Sequence, residues 1–147
     1  MNELERQVYE RVKKNGFMVY NHIEMERMEP DRAVFKLDIR PESRNAYGMV
    51  HGGALYTLAD NAAGSAAHTD GRSYVTQRGS MNFLRNQAAG TIRAEARVRH
   101  RGRATALVEV DITGEDGILL ATGEYSFFCV DRRRLEDQAR QEREEQI

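Results

Sequence analysis

The sequence predicts an α+β fold in which an antiparallel sheet of about six strands wraps around one apolar helix. Three observations carry this. Residues 54–68, ALYTLADNAAGSAAH, are alanine-rich and contain a single β-branched residue, Thr57. Most of the remaining chain alternates apolar and polar residues with a period of two, the signature of half-buried strands. Short turns join those strands, which favours antiparallel neighbours.

The elements follow in order. Residues 3–14 form a short amphipathic helix, with Leu4, Val8 and Val12 on one stripe and Asn15-Gly16 ending it. From Phe17 to Arg40 the period becomes two. Residues 17–28 are read as an irregular strand, Glu29-Pro30-Asp31 as a turn, and Ala33, Phe35, Leu37 and Ile39 as the inward face of a second strand. Residues 41–53, PESRNAYGMVHGG, are a loop. In the next segment Leu55, Leu58, Ala59, Ala62 and Ala66 share a helical stripe, and Ala54, Ala63 and Ala67 widen it until little polar surface remains. Such a helix must be buried and closely approached by its neighbours. Strands are expected over Tyr74–Asn86, Thr91–His100, Ala104–Thr113 and Ile118–Val130, with a turn at Arg101-Gly102 and a hairpin at 114–117. A single domain over 1–130 is followed by a charged tail, 131–147, read as solvated helix or disorder.

Composition narrows the function. The 147 residues can enclose a real core, and a net charge of −1 gives no bulk attraction to nucleic acid or an anionic membrane. No apolar run is long enough to span a bilayer, and MNELERQVYERVKK lacks the apolar stretch of a secretory leader. One cysteine, Cys129, suits a reducing compartment, so a cytoplasmic location is expected. Cys129 reads as a packed thiol, and His22, His68 and His100 show no ligand spacing. No metal and no cofactor are called for.

The segment with chemistry in it is Asn45-Ala46-Tyr47-Gly48-Met49-Val50-His51-Gly52-Gly53, followed by Asp60. His51-Gly52-Gly53 opens the apolar helix. The first N–H groups of a helix lack internal partners and carry partial positive charge, so they suit a developing oxyanion. Asn45 and His51 add hydrogen-bonding groups beside that terminus. Asp60 is a carboxylate in a stretch built for burial, where an acid needs a partner or a task. It lies eight residues after Gly52, roughly 12 Å along the axis at helical rise. A nucleophile and an oxyanion donor must both approach one carbonyl within about 3 Å. If both residues are catalytic, the helices of two subunits must run antiparallel and share two sites.

Asn-x-x-Gly-x-x-His-Gly-Gly with an Asp nine residues after the His resembles the hotdog-fold thioesterases, in particular the PaaI-type (phenylacetate-pathway) group. The resemblance runs from about Phe17 to Val130 and takes in MNFLR at 81–85 and VRHRGR at 98–103. It implies a six-stranded sheet around the helix, dimers that often pair into tetramers, and an acyl-CoA substrate of which CoA is a part. By this resemblance Asp60 is the nucleophile or general base, and the Gly52 N–H the oxyanion donor. Asn45 positions water or the thioester, His51 assists the leaving group, and Gly53 is the position where a side chain would crowd the ligand. Tyr56 and Phe83 of a neighbouring subunit would line the acyl pocket. Arg99, Arg101 and Arg103, with Arg97, lie at the turn that approaches the nucleotide of CoA in relatives. Relatives also place a Ser or Thr on the strand after the helix, beside the acid. Gap-free counting back from MNFLR puts Arg78 there, and Thr76 or Ser80 serves if the register differs. Two other readings stand beside the hydrolase: an acyl-CoA-binding or regulatory module without turnover, and a hydratase or dehydratase on acyl thioesters.

Overall fold

Asn2 starts the first helix, α1 (Glu3–Lys14), with a reciprocal cap: its side chain accepts from the Glu5 N–H, and the Glu5 carboxylate receives the Asn2 N–H. The computed structural model describes residues 1–131 and 140–146. Asn15 closes α1 and at once caps a single helical turn, α2 (Gly16–Tyr20), by accepting from the Met18 N–H. The strand expected from residue 17 therefore begins only at Ile23. Asparagines at both ends explain the difference: the Asn21 amide also bonds back to the Phe17 carbonyl at 2.7 Å. Local side-chain bonds of this kind favour a capped turn over a sheet ladder.

The strands are β1 (Ile23–Glu29), β2 (Arg32–Asp38), β3 (Tyr74–Phe83), β4 (Thr91–Arg101), β5 (Thr105–Thr113) and β6 (Leu119–Cys129). They form one antiparallel sheet in the order β1-β2-β4-β5-β6-β3. The apolar helix, α3 (Gly52–His68), crosses its concave face. Cross-strand register places Phe35 beside Ala94, Ala94 beside Ile112 and Ile112 beside Ala121. Large and small residues thus alternate in a row under the helix. Eight residues of α3 are buried, six of them alanines, and the alanines of β4 bring the sheet backbone close to them. Burying Leu58 fully contributes about 1.5–3 kcal/mol, and each neighbouring methyl less.

The outer face carries cross-strand ion pairs, including Arg97–Asp111 at 2.9 Å and Arg99–Glu109 at 3.3 Å. Residues 132–139 and 147 of the charged tail lie outside the described residues; positions 140–145 are helical and exposed, with an Arg140–Glu144 contact of 3.9 Å. No helix among the described residues is long and apolar enough to cross a membrane.

Candidate active site

The loop before α3 is held from several sides. The Val50 N–H donates to the Gln87 carbonyl and the His51 N–H to the carbonyl of buried Ser43. Asn45 organises the turn at its centre. Its side-chain oxygen accepts from the Tyr47 and Met49 N–H groups at 2.9 and 3.2 Å, while Gly48 takes a positive φ of 77°. That leaves the Asn45 amide NH2 as its remaining polar group.

His51 is the N-cap of α3. Its Nδ1 accepts from the Gly53 N–H at 2.8 Å. An accepting Nδ1 carries no proton, so the neutral ring holds its hydrogen on Nε2. The Ala54 and Leu55 N–H groups go to the His51 carbonyl. The Gly52 N–H precedes all of these and has no acceptor one turn back within the helix. Gly53 has a structural reason of its own. A Cβ there would lie 3.1 Å from His51 Nδ1, so the glycine makes room for the histidine cap and not only for a ligand.

Asp60 lies half-buried in the middle of α3. Thr76 Oγ1 donates to its Oδ1 at 2.7 Å, which leaves Oδ2 free of that bond. Burial pushes the Asp60 pKa up from its ordinary value, and the Thr76 hydrogen bond opposes that only in part. The Ser/Thr position beside the acid is thus filled by Thr76, not by Arg78. A bulge between Thr76 and Arg78 in the β3–β6 pairing is the cause. One extra residue reverses the inward–outward alternation. Gly79 then faces Tyr56 and Tyr125, while Arg78 and Ser80 join Glu109 and Glu124 on the far side of the sheet.

Asp60 and Thr76 line a cavity of about 270 Å³ between α3, β3 and the α1–α2 segment. Asn61, Gly64, Ser65 and His68 continue along the same face of α3, and Phe127 of β6 closes one side. His68, read as ordinary from the sequence, belongs to this wall. It bonds the Arg72 carbonyl through Nδ1 at 2.6 Å, and its Nε2 is buried without a partner among the described residues. The i, i+4, i+8 spacing from Asp60 was the available signal. Tyr56 sits elsewhere on α3. Its ring packs edge-on against Tyr125, and the Tyr125 hydroxyl donates to the Tyr56 carbonyl. Phe83 lies beside Gly52, where a Cβ would meet its ring at 3.5 Å.

The arginines of the β4–β5 turn separate. Arg101 is occupied inside the molecule. Its guanidinium donates to the Ala66 and Ala67 carbonyls and to Tyr74 and Thr69 hydroxyls, and pairs with Asp31 and Asp70 at 2.8 Å. It clamps the C-terminal end of α3, and a role in holding CoA is not compatible with those bonds. Arg99 and Arg103 are exposed, with Arg99 near Glu109.

Known proteins are similar to this chain. The thioesterase superfamily matches over residues 47–121, which include His51, Gly52, Asp60 and Thr76. The chain is 33% identical over 89 residues to the acyl-coenzyme A thioesterase PaaI of Escherichia coli, covering 60% of this chain and 64% of that protein. It is 32% identical over 101 residues to the 1,4-dihydroxy-2-naphthoyl-CoA hydrolase of Listeria monocytogenes, covering 67% of this chain and 82% of the relative. Its fold is similar to that of a hypothetical thioesterase protein from Streptococcus pneumoniae solved with coenzyme A, at a TM-score of 0.75, 27% identity, and coverage of 82% of this chain and 97% of that one. On the match across 47–121 and the sheet-wrapped helix that carries it, the chain belongs to the thioesterase superfamily, with the hotdog fold of its PaaI-type members.

Proposed function

We propose that this chain is an acyl-CoA thioesterase that hydrolyses an aryl- or alkyl-CoA to free acid and CoA, in sites shared between two copies. The observation that carries the reading is Asp60: a half-buried carboxylate, held on one oxygen by Thr76, opening on a cavity. Burial raises its basicity, which suits both available roles. As nucleophile, Oδ2 attacks the thioester carbon, CoA leaves as thiolate, and water cleaves the resulting anhydride. As general base, Oδ2 takes a proton from water, whose oxygen attacks the same carbon. In either course the acyl–sulfur bond breaks, an acyl–oxygen bond forms and CoA leaves as a thiol. The carbonyl oxygen gains negative charge on the way and needs a donor, which the Gly52 N–H supplies. The Asn45 amide and the His51 Nε2–H are the further donors at that terminus.

Two copies are required because Gly52 and Asp60 of one helix stand roughly 12 Å apart. Strand β3 supports the pairing. It is an edge of the sheet, and Val75, Phe83 and Leu84 at that edge are exposed apolar residues. Thr76 stands beside Asp60, and Phe83 beside Gly52. An antiparallel β3–β3 pairing centred near Gly79 sets Thr76 of one copy against Phe83 of the other. Asp60 then faces the Gly52 terminus of the second copy.

The test is thiol release from a panel of aryl- and alkyl-CoA esters, wild type beside Asp60→Ala. Hydrolysis that falls by about two orders of magnitude or more is the expected result. No hydrolysis by the wild type, or equal rates in both proteins, overturns the reading.

A further inference from the structure

The corner between α1 and α2 turns apolar side chains outward. Asn15 and Asn21 hold α2 as a capped turn through the Met18 N–H and the Phe17 carbonyl. Met18 packs inward at 2% exposure, while Phe17, Val19 and Tyr20 stand 64%, 53% and 66% exposed. Successive side chains turn by about 100° round a helix, so with Met18 inward the other three fan out together on the outer side. Scattered exposed apolar residues are ordinary, but three large ones on a single turn make a patch. None of the three lines the Asp60 cavity, and the chemistry at Asp60 does not use them.

Cations frame the patch. From Arg11 to Ile23 the chain carries Arg11, Lys13 and Lys14 and no acidic residue. All three are exposed, and none forms an ion pair among the described residues. Lys13 lies over the Tyr9 ring at 4.5 Å and lines, with Val19, a hollow of about 320 Å³. Glu24 of the same hollow is engaged by Lys36 at 3.8 Å, and Glu42 by His22 at 2.7 Å. Arg11 borders the other hollow beside the corner, the Asp60 cavity, with Asn15 and Met18.

This charge selects the occupant. A second copy brought patch to patch sets three cations against three, so symmetric self-association there is repelled. An anionic lipid surface matches both parts. Phe17 and Val19 suit the acyl boundary, the Tyr20 ring suits the interface with its hydroxyl in the wet layer, and the lysine stems lie along apolar surface while their ammonium groups reach lipid phosphates. The net charge of −1 gives no bulk attraction to such a surface, so the attraction is local to this corner.

We propose that the α1–α2 corner is a reversible docking surface for an anionic membrane leaflet, with Phe17, Val19 and Tyr20 entering the interface and Arg11, Lys13 and Lys14 against lipid phosphates. The Asp60 cavity, which shares Arg11, Asn15 and Met18 with the corner, then opens beside the leaflet. On the thioesterase reading, a CoA ester whose apolar chain partitions into that leaflet lies next to the site; the docking itself does not rest on that reading.

Cosedimentation with vesicles of phosphatidylcholine, alone and with about 30 mol% phosphatidylserine, tests this. The wild type is expected to bind the anionic vesicles about tenfold or more tightly than the neutral ones, with a loss of about fivefold in each of Lys13→Gln and Lys14→Gln. The double variant Phe17→Ser/Tyr20→Ser should lose about tenfold or more. Arg78→Gln removes an exposed cation on the far side of the sheet and should bind as the wild type does. The chain has no tryptophan, so Tyr20→Trp supplies a single reporter, whose emission should move to shorter wavelength with anionic vesicles only. Equal binding to both kinds of vesicle, binding to neither, or wild-type binding by Phe17→Ser/Tyr20→Ser overturns the proposal. So does self-association that this double variant abolishes, because the face then belongs to a second copy. The vesicles carry no thioester, so failure to bind them leaves the reaction at Asp60 untouched, and failure to hydrolyse CoA esters leaves the docking untouched.

Discussion

The two ends of α3 are built on opposite plans. At its C-terminal end side chains tie down the backbone: Arg101 bonds the Ala66 and Ala67 carbonyls, Thr69 bonds Ala66, and the Asp31 N–H bonds Thr69, while His68 Nε2 and Arg101 Nε are buried without partners among the described residues. From the N-terminus to Asp60, polar groups are held in place but not used up. The Gly52 N–H, the Asn45 amide, the His51 Nε2–H and Asp60 Oδ2 all stand clear of the bonds that position their residues. One end anchors the helix in the sheet. The other keeps donors and an acid ready for a molecule that is not part of the fold. Half-buried charge costs stability when it serves a reaction, and adds stability when it is paired across elements.

The largest expected effect of breaking this contrast is at Asp60. Asp60→Asn keeps an acceptor for Thr76 and removes the base, so thioester hydrolysis should fall by about 10²–10⁴-fold. The same change should raise the melting temperature at neutral pH, by about 2–4 °C. The sign follows from linkage. A carboxyl whose folded pKa is raised binds more protons in the folded state, so stability declines as pH rises from the unfolded pKa through the folded one. The gain from Asn should therefore vanish below the ordinary Asp range; a thermal scan against pH that shows the reverse would reject the assignment.

Arg101→Met should do the opposite. It removes the clamp and should cost about 1.5–3 kcal/mol, seen as a lowered urea midpoint, with KM for CoA esters unchanged in the protein that remains folded. A raised KM without loss of stability would return Arg101 to the CoA site.

Thr76→Val tests the bulged strand. Its hydroxyl lowers the Asp60 pKa, so its loss should move the acid limb of the pH–rate profile to higher pH and reduce the rate at neutral pH by about tenfold, while Thr76→Ser restores both. An unmoved limb in Thr76→Val would mean that another group holds the acid. The smallest effect is at the cap. His51→Ala should cost about 1 kcal/mol of stability from the lost N-cap bond, measured by denaturant unfolding. Restoring the cap with His51→Asn should recover that stability without recovering the full rate if Nε2–H takes part in the chemistry.

Much of this was legible in the linear chain because it is local. Alternation marked three of the strands, alanine content marked α3, and the Asn45–His51–Asp60 spacing marked the candidate site before any contact was known. Local chemistry also misled once: apolar residues from Phe17 read as a strand, but asparagines at 15 and 21 cap a helical turn there.

What tertiary structure alone decided has a common cause, the dependence of side-chain direction on contacts far along the chain. A single extra residue in β3 is invisible to residue counting, yet it turns Thr76 towards Asp60 and Arg78 away from it. Arg101 resembles its neighbours Arg99 and Arg103 in sequence, and only folding brings Asp31, seventy positions away, against it. The amphipathic pattern of residues 3–14 announced a helix, but only its packing against β1 and α2 made it a wall of the cavity that α3 also lines. Periods of two and 3.6 are properties of the backbone and can be read along it. Which two side chains meet is a property of register and packing, and no local pattern encodes it.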